Sequence, residues 1–162
     1  IMKKVIKNYL AKLQENDKKG FSLVELIIVM AIMAILVGVV ASQVLPYMEK
    51  SRQSKDQQQL SSLATNVVSA VAQSGKDIGA FSNKGMDAID TDAATKDFAP
   101  TLAELAGTTN VADYGTALAG KFTSKQAKGK TNADILISMD ANGVVTVTIS
   151  GATAEKLTVK TE

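Results

Sequence analysis

The chain contains no cysteine, no histidine and no tryptophan. Disulfides, thiol nucleophiles and zinc sites of the usual Cys/His type are therefore excluded. An exported domain of this composition must be held by packing alone. Aromatic residues are scarce at 4%, so few large side chains can anchor a core, and a small aliphatic core is expected. Proline occurs only at Pro46 and Pro100. No basic stripe interleaved with aromatics is present, and no specific nucleic-acid partner is expected. No Ser/Lys pair or paired-carboxylate constellation supports catalysis. The chain reads as a non-enzyme without cofactor or metal.

What is present is unevenly distributed. The chain has 162 residues with 46% hydrophobic content, which suits one compact domain plus an N-terminal appendage. Net charge is +2, but the basic excess lies at the start. Residues 1–20 carry Lys3, Lys4, Lys7, Lys12, Lys18 and Lys19 against Glu15 and Asp17. Residues 26–48 then read LIIVMAIMAILVGVVASQVLPYM, without a charge. An apolar helix needs about 20 residues to cross a bilayer, and this stretch is long enough. The basic residues before it favour a cytoplasmic N-terminal side. Lys50, Arg52 and Lys55 beyond it, offset by Glu49 and Asp56, weaken that asymmetry. Val39–Ala41 offers an alternative small-residue site for ordinary secretory cleavage.

Glu25 interrupts the apolar sequence FSLVELIIVM. A carboxylate costs roughly 2.5–3.5 kcal/mol at the centre of a spanning helix and less near its end. Glu25 either sits at headgroup level or needs a positive partner. A cut after Gly20 would create such a partner, the new amino group of Phe21, one helical turn away.

The string Lys18-Lys19-Gly20-Phe21-Ser22-Leu23-Val24-Glu25-Leu26, followed by the long apolar block, resembles the class III leader of type IV prepilins. The resemblance covers about the first third of the chain, and it rests on four features occurring together. It implies cleavage after Gly20 by a membrane aspartyl peptidase, N-methylation of Phe21, and a filament-assembly role for Glu25. It further implies a subunit held in the cytoplasmic membrane that an assembly platform builds into a homopolymeric surface filament. Adhesion, motility, aggregation and DNA uptake are all served by such filaments. A pseudopilin of a type II secretion or competence machine is the alternative within the family. A non-polymerising, single-pass anchored binding domain is the alternative outside it.

Downstream, residues 49–59 (EKSRQSKDQQQ) show no apolar face and predict an exposed helical neck. Leu60, Leu63, Ala64, Val67, Val68 and Val71 follow helical spacing and predict one greasy face ending near Ser74-Gly75. Residues 22–73 are thus expected to form one long helix. At the C-terminus, Ile135, Ile137 and Met139, then Val145, Val147 and Ile149, alternate around Asn142-Gly143, a tight-turn signal. Strands are expected near 134–140, 144–150 and 155–160, with one face covering the helix stripe. Pro100, Leu102, Leu105 and Gly107 predict a short helix, and Asp113–Ala119 a second helix or a loop. The remainder of 75–133 has no clear period and in a pilin-like fold would present the variable outer surface. Asp87, Asp90, Asp92 and Asp97 lack EF-hand spacing and read as a solvated acidic loop. Lys121, Lys125, Lys128 and Lys130 read as a solvated basic patch. The expected organisation is a leader (1–20), an apolar membrane and filament-core helix (21–48), a polar then amphipathic helix (49–74) and a head (75–162). The fold class is α+β, a long N-terminal helix on a small antiparallel sheet.

Overall fold

The computed structural model describes residues 6–8, 11, 20–153 and 157–162. Lys18, Lys19 and most of the expected leader lie outside the described residues, as does the start of the expected third C-terminal strand. The chain divides into two compact units, Ile1–Leu45 and Pro46–Glu162.

Helix α1 runs Leu23–Gln73 and includes Pro46. The long helix expected from the apolar block and the stripe behind it is therefore present. In the second unit its buried positions are Asp56, Leu60, Leu63, Ala64, Val67 and Ala70. Val68, placed on the greasy face by its spacing, is 38% exposed. It borders a surface groove with Ile78, Met139 and Val145 instead of lying under the sheet.

The sheet has four antiparallel strands in the order β1-β2-β3-β4. These are β1 Phe81–Gly85, β2 Ile135–Met139, β3 Val145–Ile149 and β4 Thr158–Lys160. Strands β2 and β3 bury alternate residues, so Ile135, Ile137, Met139, Val145, Val147 and Ile149 share one face. That face joins the helix residues Leu60, Leu63 and Val67 in a single buried cluster, as period-two patterning demands. The β2–β3 turn is built on Asp140. Its carboxylate accepts from the backbone N–H groups of Asn142 (2.8 Å) and Val144 (3.0 Å). Gly143 takes the positive φ of 82° that closes it.

Strand β1 has no counterpart among the strands expected from sequence. Its pairing with β2 slips between Phe81 and Lys84, which is the signature of a bulge. Asn83 adopts a φ of 49° there, and its N–H donates to Ser138 Oγ at 2.9 Å. A strand reading FSNKG with such a kink carries no usable alternation.

Two short helices fill part of the connector. Helix α2, Ala99–Ala106, has proline at its start and ends on Gly107, whose φ is 70°. The N–H of Thr108 returns to Ala103 O at 2.9 Å, closing the C-terminus. Helix α3, Val111–Ala119, is capped by Asn110, whose Oδ1 accepts from Asp113 N at 2.7 Å. It starts two residues earlier than Asp113. Gly115 is required inside α3, because a Cβ would meet Asn132 Cβ at 2.7 Å and Met86 Cβ at 2.9 Å. The core is largely aliphatic, but Phe81, Phe98 and Phe122 are also buried, and the Phe81 and Phe98 rings stack with centroids 5.8 Å apart. Few aromatics thus did not mean an aromatic-free core.

The stretch 49–59 continues the helix and is mostly exposed, as expected of a neck, except along the face that carries Asp56. Asp56 is fully buried. Its carboxylate accepts from the backbone N–H of Thr123 (3.0 Å) and of Ser124 (2.9 Å). Glu49 Oε1 accepts from Lys125 N at 2.7 Å. A face without apolar residues still buries, because loop 123–125 offers it unpaired backbone donors.

Candidate processing and assembly site

Within the first unit, Gly20, Phe21 and Ser22 precede the helix, and all three are exposed. Phe21 is 86% exposed. The Gly20–Phe21 peptide bond therefore lies in accessible, non-helical backbone. A peptidase cleft takes its substrate in that state, since a helical bond is shielded by its own hydrogen-bonded turn.

Glu25 occupies the first turn of α1. Its Oε2 accepts from the backbone N–H of Ser22 at 2.9 Å. In return, Ser22 Oγ accepts from Val24 N at 3.3 Å, and Ser22 O accepts from Leu26 N at 3.1 Å. Ser22 thus begins the helix, and the two side chains satisfy donors that a helix start leaves orphaned. A carboxylate in this turn also faces the positive end of the helix dipole. Sequence reasoning considered headgroup water or a new amine as partner for Glu25, and missed this local one. The Ser-x-x-Glu spacing of Ser22 and Glu25 was the available signal.

Beyond Glu25 every large apolar side chain from Leu26 to Met48 is exposed. The most apolar 18-residue window of this helix has a mean hydropathy of 3.0 and no buried residue. So much uncovered apolar surface requires lipid or other protein around it.

In the head, of the four aspartates weighed for cation binding, Asp90 and Asp92 have other partners, and Asp87 and Asp97 are exposed. Asp92 pairs with Lys84, and that hydrogen bond, with another from Ala94 N, holds its carboxyl below the ordinary value. Asp90 accepts from the N–H groups of Val111 (3.1 Å) and Ala112 (3.4 Å) at the start of α3. No group of three or more metal-ligating side chains occurs among the described residues. Of the basic patch, Lys130 faces Asp134 at 3.6 Å, while Lys121, Lys125 and Lys128 are exposed.

Residues 16–41 match the family model of the prokaryotic N-terminal methylation motif. No curated protein and no solved structure matches the chain.

Proposed function

We propose that this chain, whose leader motif and α+β layout are those of a type IV pilin-like prepilin, is the structural subunit of a surface filament. It waits in the cytoplasmic membrane, loses its leader after Gly20, is methylated on Phe21 and packs into the fibre through its apolar helix. The observation that carries this reading is the uncovered apolar stretch of α1 beginning next to an accessible Gly20–Phe21 bond, with Glu25 in its first turn. A bundle of such helices replaces lipid contact by protein contact, and shape packing drives the association because lipid is as apolar as leucine.

Glu25 supplies the register. In the uncut chain its carboxylate is occupied by the Ser22 N–H. Cleavage creates a cationic amine on Phe21, and a charge-assisted bond to the amine of an adjoining subunit is the stronger one. An incoming chain seated out of register leaves that carboxylate without its cation in an apolar bundle, at a cost of several kcal/mol. The sizeable head, with its own sheet and core, favours a pilus subunit over a short competence pseudopilin.

The test combines mass and assembly. The native protein should begin at Phe21 with one added methyl group. Glu25→Ala should still lose its leader yet yield at most about a tenth of the filaments, the loss expected for a buried charge pair. A native start beyond Ala41, or wild-type filament yield from Glu25→Ala, overturns the reading.

A further inference from the structure

Within the second unit, α1 opens on Pro46, Tyr47 and Met48, the last residues of the apolar run, and Tyr47 is 76% exposed. An exposed tyrosine at the end of an apolar stretch is the usual marker of a membrane–water boundary. The next two turns hold Lys50, Arg52 and Lys55, all exposed. Loop 123–125 is fastened to these same turns by Asp56 and Glu49. That holds Lys125 beside Glu49, and Lys121 and Lys128 flank the fastened loop in sequence; all three lysines are exposed.

The acids of this region are withdrawn. Between Pro46 and Leu60 the only acidic residues are Glu49 and Asp56, and residues 120–130 contain none. Asp56 is fully buried. Glu49 gives one oxygen to Lys125 N, and its other oxygen is buried. None of the six cations appears among the described ion pairs, which are Lys84–Asp92 and Lys130–Asp134. The carboxylates thus point inward at backbone N–H groups while the cations point outward. A surface of this composition attracts anions rather than neutralising itself.

From this arrangement we infer that the base of the head is a cationic collar that binds anionic phospholipid headgroups while the subunit waits in the membrane. The inference rests on the membrane-staged reading above. Basic clusters next to a membrane segment bind acidic lipid electrostatically, and the attraction decays within a Debye length. The collar begins directly after Tyr47, the boundary marker at the start of the second unit, so its helix cations follow the membrane–water interface in sequence. The helix and the loop contribute three cations each. The Asp56 hydrogen bonds therefore act as a positioning element that presents the loop lysines.

The test reconstitutes the full chain in nanodiscs, at one chain per disc, of phosphatidylcholine alone or with phosphatidylglycerol, and footprints lysines with an amine-reactive label. Lys121, Lys125 and Lys128 should label at least three times more slowly in the discs with anionic lipid. High salt should abolish the difference, and Lys76, at the other end of the helix, should label equally in both. Equal labelling of the three loop lysines in both discs overturns the collar. So does protection that requires a second chain in the disc, which would assign the surface to a neighbouring subunit. A chain that fails to enter discs of either composition removes the membrane-staged reading itself, a separate result.

Discussion

Asp56 illustrates what a single side chain contributes to the head. It joins α1 to a loop 67 residues further along the chain through bonds to Thr123 and Ser124. Removing a buried acceptor leaves two backbone donors orphaned, and hydrogen bonds to a charged group are worth about 1.5–3 kcal/mol. Asp56→Ala should therefore lower head stability by about 2 kcal/mol in denaturant titration, with an unchanged dependence on denaturant concentration. A change below about 0.5 kcal/mol would mean that water replaces the carboxylate at no cost. This residue was invisible in sequence. The stretch EKSRQSKDQQQ offers several polar positions, and only the tertiary partner distinguishes Asp56 from Lys55 or Gln57. Glu25 was visible because it breaks an apolar run, although its bond to Ser22 N went unread.

At the scale of elements, the legible parts were those with a strong period. Strands β2 and β3 were foreseen because alternate residues enter the core, and α1 because an apolar block and a helical stripe flank a polar stretch that holds no turn signal. Strand β1 was hidden by its bulge at Asn83 and by its polar composition. The connector between α1 and β2 is fixed by scattered caps, which leave weak marks in sequence. Two of these devices titrate. Bonds from the N–H and hydroxyl of Thr131 hold Asp134 below the ordinary carboxyl value of 3.8, and Lys84 with Ala94 N does the same for Asp92. A lowered folded-state pKa contributes stability that is complete above the unfolded value and is lost as pH falls through the folded one. The melting temperature should therefore be flat from about pH 7 to pH 5 and fall below about pH 4. Asp134→Asn should melt lower at pH 7 and show a shallower acid limb. An acid limb identical to the wild type would show that other carboxyls govern acid unfolding.

For the whole molecule, the division of labour follows burial. All the buried hydrophobic side chains among the described residues lie in Pro46–Glu162, while the apolar residues from Leu23 to Leu45 are exposed. A fragment of residues 46–162 should consequently be soluble, monomeric in gel filtration and cooperative on heating, because it retains the core and the Asp56 loop bonds. Melting of that fragment without a cooperative transition would show that the first unit is needed for the fold of the second.

The Asp56 tie also bears on how the head would respond to traction. Because the loop is fastened to the rod by a buried carboxylate, a tug on Thr123–Lys125 reaches the helix directly, without first unzipping any strand. The head then behaves as a grip clamped onto a shaft, and the joint that takes the load is made of hydrogen bonds that can re-form when the strain is released.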